Sequence, residues 1–155
     1  MAINPQCHLI AIVGGKGGVG KSVSAADFAA ALMSELRTPV MLIDADAKSC
    51  GDQNVIMGLR PQKTIAEICQ FQGAITPQNI SQILTIHQTG LAYLPAVRGP
   101  EEVLNANIDV FIRHLDFFSR QYKYIVADLG NEFKDLQWAI LKESTAINII
   151  TVPEV

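Results

Sequence analysis

Short apolar stretches alternate along the chain with segments whose apolar residues recur at about helical spacing. Each stretch ends at a glycine, a proline or an aspartate, which is typical of strands that are buried on both faces of a parallel sheet. The pattern therefore predicts five strands, at residues 8–13, 40–43, 91–95, 124–128 and 146–152.

The segments between these strands carry the helix signals. Thr64 is a predicted N-cap, and Glu67 stands three residues later, as in a capping box. Pro100 suits the first turn of a long helix, and the two glutamates that follow it suit the positive end of the helix dipole. The polar segment 47–58 is predicted to be a loop. The predicted helices are residues 24–36, 64–70, 77–84, 100–120 and 136–142. The aromatic residues expected to be core on these helices are Phe111, Phe117, Phe118 and Trp138.

Strands that alternate with helices predict an α/β fold, with a mostly parallel sheet that helices cover on both faces. A chain of 155 residues is expected to form one domain, residues 1–155. The composition is 49% hydrophobic and 17% charged, which excludes a disordered chain. The net charge of −3 and the lack of a basic run give no signal for nucleic-acid binding, and no apolar run is long enough to span a bilayer. The three cysteines lack metal or redox spacing, and no signal peptide is visible, which favours a cytosolic location.

The most informative stretch is glycine-rich and lies between the first predicted strand and the first predicted helix. From Gly15 it reads Gly, four residues, Gly-Lys-Ser, which is the P-loop pattern. Glycines let backbone N–H groups approach phosphates, and the N-terminus of the following helix favours an anion. In this pattern Lys21 reaches the β- and γ-phosphates, and the Ser22 hydroxyl binds Mg²⁺. The predicted ATP or ADP site is Gly15, Lys16, Gly17, Gly18, Val19, Gly20, Lys21, Ser22 and Val23.

Three aspartates stand at the carboxyl ends of predicted strands, where ligands bind in parallel sheets. Asp44 and Asp46 follow the second strand, and Asp128 ends the fourth. Mg²⁺ prefers oxygen ligands, usually one or two carboxylates with waters and phosphates. The pattern therefore predicts that Asp128 holds Mg²⁺, directly or through water. A turn or cap role remains the alternative for any single one of these aspartates.

A second lysine, Lys16, lies inside the loop. Residues 16–22, Lys-Gly-Gly-Val-Gly-Lys-Ser, resemble the loop of the ParA/MinD family of deviant Walker ATPases, and the Asp-x-Asp after the second strand looks like that family's second motif. The resemblance implies that Lys16 reaches the nucleotide of a dimer partner and that Asp46 positions the hydrolytic water, so both would be catalytic. A solvated loop lysine is the alternative for Lys16. The implied magnesium set is Ser22, Asp44 and Asp128.

The finer resemblance is to the CpaE/TadZ branch of this family, which assists pilus assembly at cell poles. It rests on the spacing Asp-x-x-x-x-Gly-Asp at residues 46–52. One departure from the family is Val23, which stands where a Thr or Ser usually contacts phosphate; its backbone N–H is still available. Another is residues 129–131, where many relatives have a proline. Because the family continues further, the chain is expected to lack the carboxyl-terminal part of the family fold. Further segments similar to the branch are residues 60–67, 98–101 and 151–155.

The resemblance implies a Mg-ATP-dependent ATPase that forms a homodimer and acts as a spatial switch in the cytoplasm. Such a switch would be recruited to a cell pole or to the inner membrane face, with a protein partner from a polar or pilus assembly system. A second hypothesis is a nucleotide-binding localisation scaffold with little or no hydrolysis. A third is a metabolic P-loop enzyme, such as a synthetase or an iron–sulfur reductase. No cysteine follows Cys69, which argues against the reductase, and Lys16 favours the switch over a synthetase.

Overall fold

A six-stranded sheet runs through the part of the chain that the structure describes. The computed structural model describes residues 3–49, 52–71 and 73–153. The strands are β1 (His8–Gly14), β2 (Val40–Asp44), β3 (Thr85–Ile86), β4 (Ala92–Pro95), β5 (Tyr124–Asp128) and β6 (Ala146–Ile150). Their order in the sheet is β3-β4-β2-β5-β1-β6. Every neighbouring pair is parallel except β3 and β4, so the predicted mostly parallel sheet is confirmed.

The register of the three central strands brings their carboxyl ends to one edge of the sheet. Asp44 at the end of β2 lies beside Asp128 at the end of β5, and Asp128 in turn lies beside Ile12 of β1. Two residues after Ile12, at Gly14, β1 ends and the glycine-rich loop follows. Strand order therefore places the loop on one side of Asp128 and the Asp44–Asp46 segment on the other.

Helices cover both faces of the sheet, as the alternating pattern predicts. On one face, α1 (Lys21–Leu36) buries a stripe of alanines, and the neighbouring α2 (Asp52–Met57) contributes Met57. Small side chains on α1 allow close approach of the helix to the strands. The opposite face is packed by α3 (Ile65–Ile68), α4 (Ile108–Gln121) and α5 (Asp135–Glu143). None of the helices in the described ranges is long and apolar enough to cross a membrane.

Local signals located some helix ends correctly and others wrongly. The Thr64–Glu67 capping box is present: Thr64 Oγ1 accepts the Glu67 N–H at 3.2 Å, and Glu67 Oε2 accepts the Thr64 N–H at 2.9 Å. The prediction that a helix begins near Pro100 is wrong, because α4 begins at Ile108. Asn107 is its N-cap, with Oδ1 accepting the Val110 N–H at 3.2 Å. A side-chain acceptor outcompetes proline and acidic signals because it satisfies a backbone donor directly.

Three further predictions differ from the structure. The segment 47–58 is not wholly a loop, because α2 forms within it, and the predicted helix at 77–84 is reduced to a 3₁₀ turn at Ile80–Gln82. The short strand β3 carries no apolar run and was not predicted. Trp138 is 54% exposed, with its ring against Phe133, so its expected core position is wrong. Phe111 and Phe118 are fully buried, as predicted.

Candidate functional site

The glycine-rich loop joins β1 directly to α1. Gly18 and Gly20 have φ angles of +77° and +83°, a left-handed conformation that glycine adopts without steric cost. A Cβ on Gly14 would lie 3.0 Å from Val19 Cγ2, so a larger residue there would require the Val19 side chain to shift. Gly20 immediately precedes the first turn of α1, whose leading N–H groups have no partner within the helix. The loop therefore has the geometry of a phosphate cradle.

The P-loop lysine is buried against carboxylates. Lys21 is 7% exposed, and its Nζ lies 2.9 Å from Asp128 Oδ1 and 3.7 Å from Asp46 Oδ2. A buried ammonium group is stable only when it is paired, and these two carboxylates supply the pairing. The fold thus brings together residues from the loop, from β5 and from the segment after β2, as the sequence predicted.

Asp44 lies beside this pair, in a more isolated position. It is 1% exposed, and its Oδ1 accepts the Asp46 N–H at 3.1 Å. Burial, the largest cause, acts together with the negative charges of Asp128 and Asp46 to raise the pKa of Asp44 to about 8. Asp44 Oδ2 and Gln53 Oε1 are the two buried side-chain polar atoms without a hydrogen-bond partner in the described ranges. A cation bound here would favour the ionised form of Asp44 and would give the unpaired Asp44 oxygen an interaction partner.

These residues fit Mg²⁺. Ser22, Asp44 and Asp128 offer only oxygen atoms, which a hard cation prefers. Across residues 3–49, 52–71 and 73–153, no group of three or more His, Cys, Asp or Glu side chains is arranged to hold a metal ion by itself. Mg²⁺ is usually bound by one or two carboxylates and completed by water and nucleotide phosphates.

Asp46 is fixed by the backbone around it. Its Oδ1 accepts the N–H groups of Lys48 at 3.1 Å and Ser49 at 3.3 Å. The loop after β5 passes close by, because a Cβ on Gly130 would lie 2.6 Å from Asp46 Cγ. On the other side, Gln137 Nε2 of α5 donates to the Ala45 carbonyl at 2.6 Å. The Asp46 carboxylate is therefore held at the edge of the site by elements that flank it.

A cleft of about 690 Å³ opens above the loop and reaches Asp46. Lys16 and Val23 line it and are exposed, whereas Lys21 forms its floor. An ion pair between Lys48 and Glu132 joins the loops that follow β2 and β5 at the mouth of the cleft. The hydrogen bond between these two side chains, with the attraction of their charges, raises the pKa of Lys48 and lowers that of Glu132. The remaining lining residues include Gly17, Gly18, Ser49, Val55, Ile56 and Asn131.

Two residues of this region were missed by sequence reasoning. Gln53, on α2, donates to Asp128 and to the Ser22 carbonyl. Asn131 lies against the loop, with Nδ2 3.3 Å from the Cβ position of Gly17. Neither belongs to a contiguous motif, and Gln53 falls in a segment predicted to be a loop. Residues 50 and 51 of the 46–52 spacing, and 154 and 155 of the final segment, lie outside the described residues.

A phosphate-binding loop after β1, a buried loop lysine and aspartates at the ends of the adjacent strands define a P-loop nucleotide-binding domain. A comparison with protein families gives the same class and identifies a particular family within it. The chain belongs to the family described as the CobQ/CobB/MinD/ParA nucleotide binding domain, whose model matches residues 10–151. The ParA/MinD resemblance is therefore confirmed at the level of the family.

Two curated relatives have names that refer to antiactivation and to the flagellum. The chain is 32% identical to the antiactivator FleN of Pseudomonas aeruginosa over 98 residues, which are 63% of this chain and 32% of that protein. It is 30% identical to the flagellum site-determining protein YlxH of Helicobacter pylori over 150 residues, which are 94% of this chain and 48% of that protein. The chain thus spans about a third to a half of the length of these relatives. The CpaE/TadZ branch is not among the relationships that these matches show.

Solved structures support the fold. A ParA family ATPase from Chlorobium tepidum has a TM-score of 0.83 at 21% identity, with 96% of this chain and 60% of that chain covered. A chain of the MinC:MinD cell division protein complex from Aquifex aeolicus has a TM-score of 0.68 at 23% identity, with 92% of this chain and 55% of that chain covered. A third structure is cobyrinic acid a,c-diamide synthase from Mycobacterium smegmatis with a bound ATP analog and magnesium. Its TM-score is 0.71 at 22% identity, with 94% of this chain and 60% of that chain covered.

Proposed function

We propose that residues 1–155 form one nucleotide-binding domain of a Mg-ATP-dependent ATPase that acts as a localisation switch. One observation carries the proposal. Beneath a complete P-loop, Lys21 Nζ lies 2.9 Å from Asp128 Oδ1, so the lysine suited to phosphate and the aspartate suited to Mg²⁺ are already in contact. A purely structural glycine loop would not require a buried lysine and three carboxylates below it.

In the proposed reaction, residues of this chain bind and orient the nucleotide. The loop N–H groups and Lys21 contact the phosphates, and Ser22, Asp44 and Asp128 hold Mg²⁺. When bound there, Mg²⁺ would supply positive charge that offsets the charge of the nucleotide phosphates. Asp46, fixed at the edge of the cleft, orients the attacking water, and Lys16 adds positive charge to the nucleotide of a second subunit. Catalysis of this kind comes mainly from positioning and electrostatic stabilisation.

The cellular role that we propose is control of where an assembly forms. Supporting this, one curated relative is named as a flagellum site-determining protein, and another as an antiactivator. By analogy, this chain would form an ATP-dependent homodimer in the cytoplasm and would recruit a protein partner at a cell pole or at the inner membrane face. A role in pilus assembly, taken from the CpaE/TadZ resemblance, stays a prediction.

Two alternatives make different predictions. A localisation scaffold would bind nucleotide with little or no turnover, so a measured turnover separates it from the ATPase. A metabolic synthetase of the same family would bind an organic acid substrate as well as ATP. Lys16, exposed at the cleft, favours the switch because a single-subunit synthetase has no need of a second loop lysine.

The binding proposal is tested by calorimetric titration of the chain with Mg-ATP. Lys21→Ala removes a charged phosphate contact, which is worth about 1.5–3 kcal/mol, so affinity should fall at least about tenfold. Lys142→Ala removes an exposed lysine from α5, far in sequence from the loop, and should leave affinity unchanged. Equal affinities for the wild type and Lys21→Ala would remove the P-loop assignment.

A further inference from the structure

Gln53 is a fully buried polar residue on α2, the short helix beside the candidate site. Its side-chain nitrogen Nε2 donates to the Ser22 carbonyl at 2.7 Å and to Asp128 Oδ2 at 3.1 Å. One amide group therefore contacts two residues of the predicted magnesium set, from an element that neither carries the P-loop nor ends a strand. Burying a glutamine costs free energy unless its polar atoms are used, so the position calls for a physical explanation.

The contact with Asp128 complements that of the P-loop lysine. Lys21 Nζ is bound to Oδ1, and Gln53 Nε2 is bound to Oδ2, so each carboxylate oxygen has a donor from a different side. Lys21 is also the residue that would contact phosphate when nucleotide binds. If Lys21 moves towards the phosphates, Gln53 remains as the donor that keeps the Asp128 carboxylate in its orientation.

The other end of the Gln53 amide has no partner. Gln53 Oε1 and Asp44 Oδ2 are both buried and unpaired, and both belong to residues next to Asp128. Two acceptors without donors at one place are a second observation that points to a missing donor. The water shell of a bound Mg²⁺ supplies such protons, because Mg²⁺ usually keeps several of its waters.

We propose that Gln53 is a positioning residue of the magnesium site. Its Nε2 holds the Asp128 carboxylate and the Ser22 backbone, and its Oε1 accepts a hydrogen bond from water bound to Mg²⁺. This inference rests on the proposed nucleotide function and adds to it a residue outside the P-loop and strand-end motifs. Outer partners of metal ligands typically change metal affinity about 10–100-fold when they are removed.

The same helix connects this contact to the surface. Val55 and Ile56 follow Gln53 on α2, are 83% and 42% exposed, and line the edge of the cleft. α2 therefore carries both the buried contact with Asp128 and an exposed apolar pair at the mouth of the cleft.

The test compares ATP affinity with Mg²⁺ present and with Mg²⁺ removed by EDTA, for the wild type and Gln53→Met. Methionine keeps the length of the side chain and removes both the donor and the acceptor. We expect the gain in affinity that Mg²⁺ gives to fall at least about tenfold in Gln53→Met, with affinity in EDTA unchanged. Met57→Ala is the matched control, because Met57 lies on the same helix and packs against the core of the sheet rather than lining the cleft. The increase in ATP affinity that Mg²⁺ gives should be the same in this control as in the wild type.

The possible outcomes separate the positioning role of Gln53 from the proposed nucleotide-binding function. A wild type that binds no ATP in either condition overturns the proposed function, and this inference with it. A normal magnesium gain in Gln53→Met overturns the positioning role alone, and an equal loss in Met57→Ala reduces Gln53 to general support of α2. If Gln53→Met does not fold, NMR of the wild type decides: the Gln53 side-chain amide protons should exchange slowly and shift when Mg²⁺ is added to the ATP-bound protein. Rapid exchange with no shift would contradict the proposal.

Discussion

Both carboxylate oxygens of Asp128 are bound, by donors of different kinds. Lys21 supplies a charged donor from the P-loop, and Gln53 supplies a neutral amide from α2. Nearby, Asp46 is held by backbone N–H groups, and Asp44 keeps one buried oxygen without a donor. These differences in partners separate the proposed roles of the three aspartates: we propose that Asp128 and Asp44 hold Mg²⁺, and that Asp46, which lines the cleft, orients water.

The proposed role of Asp46 predicts a loss of turnover with little change in binding. Asp46→Asn keeps the shape and the acceptor of the Lys48 and Ser49 N–H groups but removes the negative charge. We expect kcat for ATP hydrolysis to fall by about 10²-fold or more, with the dissociation constant for Mg-ATP changed less than about threefold. Steady-state hydrolysis and calorimetry measure the two quantities. A parallel loss of affinity would instead make Asp46 a residue that holds ligand.

At the scale of elements, the ends of helices depend on side chains that accept backbone N–H groups. α3 begins with the Thr64–Glu67 capping box, and α4 begins with Asn107. Between β4 and α4, Glu102 accepts from Thr64 Oγ1 at 2.7 Å and from the Arg98 N–H at 2.6 Å, so the segment that the sequence assigns to a helix is tied to α3. These hydrogen bonds hold residues 98–102 in a non-helical connecting segment. α4 begins after this segment, at Ile108.

The start of α4 predicts a difference in stability between two substitutions. Asn107→Ala removes the N-cap acceptor and should lower the free energy of unfolding by about 1 kcal/mol. Glu101→Ala changes an exposed residue in the segment where the sequence placed the helix start, and should change the free energy by less than about 0.5 kcal/mol. Urea unfolding followed by circular dichroism measures both. A larger loss for Glu101→Ala would mean that the helix begins earlier than it does in the structure.

For the whole molecule, strand order decides which distant segments meet. The site is assembled from β1, β2 and β5, and the same packing buries charged or titratable groups elsewhere. His114 of α4 is 7% exposed, and its Nε2 lies 3.1 Å from the Ile68 carbonyl. Burial lowers the pKa of His114, and the nearby Arg113 charge lowers it further, although the bond to Ile68 acts in the opposite direction.

This shift predicts a pH dependence of global stability. Because the folded pKa of His114 lies below the unfolded value of about 6.5, the unfolded state binds more protons in the range just below that value. Stability should be full above pH 6.5 and should fall as the pH decreases through the folded pKa. His114→Gln keeps a donor for Ile68 without a titrating ring, so its urea midpoint should fall less between pH 7.5 and 5.5. Parallel curves for the two proteins would contradict this cause.

The last prediction for the whole molecule is that two chains form a dimer when nucleotide binds. Lys16 is exposed at the cleft, and the family resemblance implies that it contacts the nucleotide of a partner. We expect the wild type to form a dimer with Mg-ATP, as measured by light scattering, and Lys16→Ala to bind Mg-ATP with similar affinity but to dimerise more weakly. Lys142→Ala serves as a control for loss of a surface charge. A normal ATP-dependent dimer in Lys16→Ala would leave Lys16 a solvated loop residue.

The sequence by itself determined the parts of this protein that are local in the chain. The strand runs, the P-loop glycines and the Asp-x-Asp spacing are contiguous, so their periodicity and residue types predict an α/β nucleotide-binding fold. The predicted site residues around Lys21, Asp46 and Asp128 do meet, because the carboxyl ends of parallel strands share one edge of the sheet.

Only the tertiary structure decided the features that depend on distant pairing. The order β2-β5-β1, which puts Asp128 between the loop and Asp44, follows from strand pairing that no local pattern encodes. Gln53 reaches the site because α2 packs beside α1, and Trp138 is exposed because its side of α5 does not face the sheet. α4 begins at Ile108, after a connecting segment in which Glu102 accepts a hydrogen bond from Thr64 of another element. In each case a contact across the fold outweighs the local preference, since packing and buried hydrogen bonds contribute more free energy than propensity does.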